Sequence, residues 1–105
     1  MPWKVVVDSK FKNAEKIFPT QQRDVKSVID TLSAFREVRS IVIFGSRVTC
    51  LCNPWSDLDV YIDCDFGFLR PTIKSEAPLD IWTPDMVETA LLEEIMSTGV
   101  VVYEK

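Results

Sequence analysis

The sequence contains no histidine. Imidazole is a frequent ligand of zinc and iron, and it is the usual base that activates a serine or cysteine nucleophile. Its absence excludes most zinc, haem and non-haem iron sites, and it excludes histidine-based nucleophilic catalysis. Carboxylate and hydroxyl oxygens remain as metal ligands, and such hard donors favour Mg²⁺ or Mn²⁺.

Positive charge is also scarce. The chain has 12 Lys and Arg against 16 Asp and Glu, giving a net charge of −4 and a pI of about 4.7. Proteins that bind nucleic acid through the phosphate backbone are usually basic, because Lys and Arg displace the counterions. We therefore expect no direct nucleic-acid binding. An anionic substrate would need a bound cation or a local basic patch.

Long hydrophobic runs are missing as well. No stretch approaches the ~18 apolar residues of a membrane span, and Val5-Val6-Val7 is too short for the apolar region of a signal peptide. The cysteine count is three, an odd number with no secretory context, so reduced thiols in the cytoplasm are expected. We predict one cytoplasmic domain over residues 1–105 with no membrane segment.

Hydrophobic periodicity predicts two helices and several strands. An apolar stripe with helical spacing follows Pro19-Thr20, with Thr20 as N-cap, and ends before Ser40. Its members are Val25, Val28, Ile29, Leu32 and Phe35. Gln21 and Gln22 lie off this stripe and are expected to face water. Residues 1–18 are predicted to form a short strand (Trp3–Val7) and a helix (Phe11–Phe18), as an N-terminal extension.

In the rest of the chain, short apolar or alternating segments predict strands at 41–44, 57–63, 79–82 and 100–103. Thr83-Pro84-Asp85 has the composition of a helix start, and Gly99 of a helix end. The expected buried face of that helix comprises Val87, Ala90, Leu91 and Ile95. The predicted fold class is therefore α+β (α/β), a mixed sheet of about four strands flanked by helices in two or three layers.

Asp57 to Asp63 alternates strictly between polar and apolar residues. In a strand, alternate side chains share one face, so Asp57 and Asp59 lie side by side with Cα atoms roughly 6–7 Å apart. Two carboxylates so placed would raise each other's pKa unless a cation binds between them. Taken alone, an Asp-x-Asp pair is more often a solvated strand face than a metal site.

A second motif precedes these acids. Ile41–Phe44 is an apolar run typical of a strand buried on both faces, and it ends at Gly45-Ser46-Arg47. Gly45 permits close approach of a phosphate to the backbone, Ser46 offers a hydroxyl and N–H donors, and Arg47 offers a charge-assisted contact.

The combined pattern of Gly45-Ser46, ten residues, then Asp57-Leu58-Asp59 resembles the minimal nucleotidyltransferases, a branch of the DNA polymerase β-like superfamily. Ser56 and Arg47 also match usual residues of that family, and Asp80 matches its third carboxylate, which lies on a later strand. The resemblance covers roughly residues 20–105 and leaves the first 18 or so outside it.

The resemblance implies the polymerase β-like fold and a transfer of AMP from ATP. Asp57, Asp59 and Asp80 would be the catalytic residues and the ligands of two Mg²⁺ ions, with Mn²⁺ as a substitute. Gly45, Ser46, Arg47 and Ser56 would bind the nucleotide. Such small enzymes lack a second domain that would bind a polymeric acceptor, so the resemblance implies that the acceptor is on a partner protein. In this family that partner is commonly a helical HEPN-type ribonuclease toxin, which the antitoxin neutralises by modifying a tyrosine.

The sequence departs from the family at Val48-Thr49-Cys50, where many relatives have a small residue, an Arg and a Gly. The lost positive charge keeps one alternative open, an antitoxin that inhibits its partner by stoichiometric binding. A small nucleotide-binding regulatory module is a third hypothesis. Cys50 and Cys52 lack the further ligands of a zinc site and are expected to be free thiols. Tyr61 is expected to pack in the protein interior. Arg70 and Lys74 are weaker candidates for contact with the triphosphate.

Overall fold

The structure is a computed structural model that describes residues 4–8, 10–17, 19–44, 58–65, 67–68, 71–73, 75 and 79–105. Within these ranges it contains two α-helices, four strands and one 3₁₀ turn. In chain order they are the 3₁₀ turn Ala14–Lys16, α1 (Pro19–Leu32), β1 (Val38–Phe44), β2 (Leu58–Cys64), β3 (Leu79–Trp82), α2 (Thr89–Thr98) and β4 (Val100–Glu104).

The four strands form one mixed sheet in the order β3-β2-β1-β4. Strand β1 is antiparallel to both β2 and β4, and β2 is parallel to β3. A parallel pair needs a crossover of a dozen or more residues, and residues 65–78 supply that length. The prediction of an α+β chain with a mixed four-strand sheet and flanking helices is confirmed at this level. The strands predicted at 41–44, 57–63, 79–82 and 100–103 all exist, with boundaries within three residues of those expected.

Helix α1 covers one face of the sheet. Its stripe packs in a core with alternate residues of all four strands, and the members that are no more than 8% exposed include Val25, Val28, Ile29, Leu32, Ile41, Ile43, Val60 and Ile62. The helix begins at Pro19, one residue before the predicted N-cap, and ends at Leu32. Phe35 therefore lies beyond the helix, where it meets the ring of Phe68 edge-on with centroids 5.4 Å apart.

Helix α2 covers the opposite face. Val42, Tyr61 and Ile95 form the buried centre of a second, smaller core, joined by half-buried Trp82, Leu91 and Leu92 among others. The sheet therefore lies between the two helices. Because successive side chains of a strand point to opposite faces, β2 and β3 contribute alternate residues to the two cores.

The expected exposure of Gln21 and Gln22 is wrong, since they are 1% and 0% exposed. The N-terminal residues lie over this part of α1. The Gln22 amide donates to the carbonyls of Ile17 (3.0 Å) and Lys4 (2.8 Å), and its oxygen accepts the N–H of Val6 at 2.8 Å. A buried amide is tolerated when its hydrogen bonds are made.

The N-terminal extension contributes to the first core. Phe11, Ala14 and Ile17 are buried in it, but the predicted local structure is wrong. Residues 4–7 form no strand, and only a 3₁₀ turn stands where a helix was expected. Asn13, in the left-handed region at φ 59°, donates from Nδ2 to the carbonyl of Val101 on edge strand β4 at 2.8 Å. Tertiary contacts decide this segment's conformation.

The predicted start of the second helix is also wrong. The Met86 N–H donates to the Thr83 carbonyl at 2.9 Å, which closes a turn, and α2 begins only at Thr89. Pro is favoured at the second position of a turn and also at the first position of a helix, so the local sequence does not separate the two structures. Ala90 is exposed, and the buried face uses Leu92 instead.

Gly99 ends α2 as predicted, but not through a positive φ. Its φ is −78° and its N–H donates to the Ile95 carbonyl at 2.8 Å. A Cβ at this position would lie 2.5 Å from Cγ1 of Val42 and 3.3 Å from the Ile43 carbonyl oxygen. Close approach of the helix end to β1 therefore requires a glycine.

Neither helix in the described ranges combines the length and apolar character that crossing a membrane requires.

Candidate carboxylate site on strands β2 and β3

The parallel register of β2 and β3 brings two of the three predicted catalytic residues together. Asp59 is the direct partner of Asp80 in the ladder, with Leu58 opposite Leu79 before it and Tyr61 opposite Trp82 beyond it. Neighbouring strands lie about 4.8 Å apart, and partners in register point to the same face. The two carboxylates therefore stand side by side, although 21 positions separate them in the sequence.

The carboxylate pair lies at a defined end of the sheet. Asp59 is also the antiparallel partner of Phe44, the last residue of β1. The chain continues from Phe44 directly into Gly45-Ser46-Arg47. Gly45, Ser46, Arg47, Ser56 and Asp57 lie outside the described residues, as do Cys50, Cys52, Arg70 and Lys74, so their predicted roles stay predictions.

Asp80 is exposed and Asp59 is half-buried, so solvent reaches the pair. Two carboxylates on adjacent strands supply hard oxygen donors on one face, and this donor set fits a divalent cation such as Mg²⁺. The described residues contain no group of three or more potential metal ligands. The third predicted ligand, Asp57, lies outside those residues.

Tyr61 and Trp82 form the next pair along the same face, under α2. Tyr61 is 3% exposed, which confirms packing as its role. Burial raises the pKa of its hydroxyl above the ordinary value, and the negative charge of Asp63 acts in the same direction. The Trp82 indole N–H is buried and has no hydrogen-bond partner among the described residues. These two rings separate the carboxylate pair from the other end of β2.

At that other end, two further acids are paired with a base. Arg39 donates to the carboxylates of Asp63 (3.0 Å) and Asp65 and to the carbonyl of Cys64 (3.0 Å). Hydrogen bonds to Asp63 and Asp65 raise the pKa of Arg39 above its usual value. Sequence reasoning missed Arg39, because only the antiparallel pairing of β1 with β2 places it beside these acids. The acidic residues after Asp59 therefore belong to a structural ion-pair group.

Cys64 is a free thiol, 4% exposed at the end of β2. Burial raises its pKa, and the nearby Asp63 carboxylate raises it further. A thiol that resists ionisation in an apolar environment is a poor nucleophile. Cys64 is therefore part of the core rather than of a reactive site.

A cavity of about 320 Å³ lies beside β3 but on the wrong face for the carboxylates. Its lining includes Leu79 and Ile81, whose side chains alternate with Asp80 and pack toward the α1 core. The cavity is therefore not part of the candidate carboxylate site.

No protein-family model matches this sequence, and a comparison with curated proteins found no significant match.

Proposed function

We propose that the chain is a metal-dependent nucleotidyltransferase that transfers AMP from ATP to a hydroxyl group, a tyrosine, of a partner protein. The observation that carries the proposal is the register of Asp59 opposite Asp80 on one face of parallel strands. The order of the strands and the two helices is compatible with the polymerase β-like fold that the motif resemblance implies. The proposed partner is a HEPN-type ribonuclease toxin, with this chain as its antitoxin.

In this proposal, different residues of the chain bind the metal ions and the triphosphate. Asp57 and Asp59 would hold both divalent ions, and Asp80 would complete the one on the acceptor side. Gly45, Ser46, Arg47 and Ser56 would bind the triphosphate. When bound, the ions would supply Lewis-acid stabilisation of charge on the α-phosphate and the pyrophosphate.

The exposure of Asp80 suits a role toward the acceptor, because a protein hydroxyl must reach it from solvent. Its carboxylate would accept the hydroxyl proton while the acceptor oxygen bonds to the α-phosphorus. The bond between the α-phosphorus and the bridging oxygen breaks in the same displacement, and pyrophosphate leaves.

The proposal is tested first by metal binding. Titration of the full chain with Mn²⁺, followed by electron paramagnetic resonance, should show binding that Asp59→Asn and Asp80→Asn each weaken at least tenfold. Asp63→Asn is the matched control, since Asp63 lies on the same strand and face as Asp59 but is bound by Arg39. Equal weakening of Mn²⁺ binding in all three variants would show only a general charge effect and would contradict a metal site at Asp59 and Asp80.

The second test is transfer. The chain is mixed with labelled ATP, Mg²⁺ and the product of the adjacent gene. We expect label on the partner with the wild-type chain and with Asp63→Asn, and none with Asp59→Asn. The Val48-Thr49-Cys50 departure favours one alternative, inhibition by binding alone. That alternative would be correct if Asp59→Asn still neutralised the partner and no label appeared with any variant.

A further inference from the structure

Strand β4 forms one edge of the sheet, so one side of its backbone faces away from the other strands. The Lys105 N–H donates to the Arg39 carbonyl at 3.1 Å, which makes these two residues a hydrogen-bonded pair of the β1–β4 ladder. Because hydrogen-bonded and non-hydrogen-bonded pairs alternate along antiparallel strands, the N–H and the carbonyl of Glu104 point away from β1. Neither group makes a backbone hydrogen bond within the part of the chain that the structure describes. This end of the edge is therefore open.

The other end of the same edge is covered by the N-terminal segment. Val101 lies opposite Val42, and the same alternation along β1 points the Val101 carbonyl outward. The Nδ2 amide of Asn13 donates to this carbonyl at 2.8 Å. Since neighbouring strands of a sheet lie about 4.8 Å apart, Asn13 occupies the place of an added strand and makes the hydrogen bond that its N–H would make.

The residues around Asn13 hold its side chain in this position. We call residues 11–17 the Asn13 turn. Phe11, Ala14 and Ile17 are buried in the first core, and the Ala14 N–H donates to the Phe11 carbonyl at 3.2 Å. Asn13 itself has φ 59°, in the left-handed region that asparagine adopts more readily than most residues. The buried anchors and this backbone conformation together direct the amide of Asn13 at the edge of β4.

The sequence of β4 favours pairing with another strand. Val100-Val101-Val102-Tyr103 contains no charged residue, and valine and tyrosine are enriched in strands. Natural edge strands commonly carry a charge or a proline, or are covered by a loop, and each device prevents pairing with another chain. An uncharged run of this kind also pairs with an identical run, because no like charges are brought opposite each other. The occupant that fits this edge is β4 of a second copy of the chain.

We propose that β4 is a self-association edge and that the Asn13 turn keeps it closed, so that the chain is a monomer until the turn is released. The β4 strands of two released copies pair antiparallel about a two-fold axis and join the two four-stranded sheets into one. The outward backbone groups of Val101 and Glu104 then bond to the other copy. The carboxylate pair lies on β2 and β3, away from this edge, so the inference does not rest on the proposed function.

The test measures association of the full chain by sedimentation velocity at increasing concentration. Asn13→Gly is the main variant, because glycine keeps the left-handed backbone while the amide donor is lost. We expect the wild type to stay monomeric and Asn13→Gly to dimerise, with a dissociation constant at least about tenfold lower, since main-chain hydrogen bonds supply the affinity of strand addition. Hydrogen exchange at the Glu104 amide should slow in the dimer, because this N–H gains an acceptor.

A second variant, Asn13→Gly/Glu104→Pro, tests whether β4 is the surface that associates. Proline removes the outward N–H of residue 104 and is tolerated on an edge strand whose N–H faces solvent. This double variant should return to the monomer. Ile95→Val is the control for general destabilisation, because it trims the second core, on the opposite face of the sheet from the Asn13 turn. It should remain monomeric, and circular dichroism checks that each variant is folded.

Several results would overturn the proposal. One is a monomeric Asn13→Gly, and another is a wild-type chain that dimerises as tightly as this variant. A dimer that survives Glu104→Pro would show that another surface associates. Growth beyond a dimer would exclude two-fold pairing at β4, since that pairing uses the edge of both copies. Equal dimerisation of Ile95→Val would attribute association to lost stability rather than to an opened edge.

Discussion

Replacing Gln22 with Met tests how the N-terminal segment is held on α1. Gln and Met have similar helix propensities and similar length, so the change removes hydrogen bonds and little else. Three bonds disappear, to the Ile17 carbonyl, the Lys4 carbonyl and the Val6 N–H. Water can replace two of them, because Lys4 is exposed and Val6 is 43% exposed.

The third partner determines the magnitude. Ile17 is 0% exposed, so its carbonyl would be left buried without this donor. Each lost bond costs about 1 kcal/mol net, and an unsatisfied buried group costs about 1–3 kcal/mol. Two re-solvated bonds and one unsatisfied carbonyl together lower the expected free energy of unfolding by about 3–5 kcal/mol, a large part of the stability of a small domain.

The assay is urea denaturation at 25 °C followed by Trp fluorescence, together with hydrogen exchange at the Val6 amide. Arg23→Met is the control, because the neighbouring Arg23 side chain is exposed and should change stability by less than about 0.5 kcal/mol. A loss below about 1 kcal/mol for Gln22→Met, with slow exchange retained at Val6, would refute the reasoning.

Two further predictions concern Gly99 and the buried titratable side chains of Cys64 and Tyr61. Gly99→Ala should destabilise by about 1–3 kcal/mol, because its Cβ would meet Val42 and the β1 backbone; a rise in the thermal midpoint would contradict this. Stability should fall as the pH rises above about 9.0, the ordinary pKa of cysteine, because burial raises the pKa of Cys64 and Tyr61 and the unfolded chain releases these protons first. In denaturation curves recorded over a series of pH values, Cys64→Ala should reduce the loss of unfolding free energy just above pH 9.0. An unchanged pH dependence would contradict this role of Cys64.

The strands could be predicted closely because their signals are local. Ile41–Phe44 is a short β-branched and aromatic run, and Leu79–Trp82 is a short, mostly apolar segment between Pro78 and Pro84. Alternation from Asp57 to Asp63 assigns the faces of β2. The prediction that Asp80 belongs with Asp59 came from the motif resemblance. The parallel register that pairs them depends on the crossover at 65–78, whose path no local pattern determines.

The failures have a common physical origin. Gln22 was expected in water because its position off the apolar stripe predicts exposure, yet residues 4–17 lie over it. Thr83-Pro84-Asp85 satisfies the chemistry of both a helix start and a turn, and the packing of Val87 and Leu91 on the sheet favours the later helix. In each case tertiary packing overrode a local preference.

The acids of β2 show why placement matters more than number. Along the sequence, Asp59, Asp63 and Asp65 belong to one acidic stretch, but the structure gives them different neighbours. Arg39 binds Asp63 and Asp65, so both acids have a positively charged partner in the structure. Asp59 lies opposite another acid, Asp80, in the parallel ladder of β2 and β3, so the two carboxylates share one face at the end of the sheet. Oxygen donors placed in this way suit a divalent cation. The cross-strand pair, rather than the acidic stretch, is therefore the observation on which the proposed metal site depends.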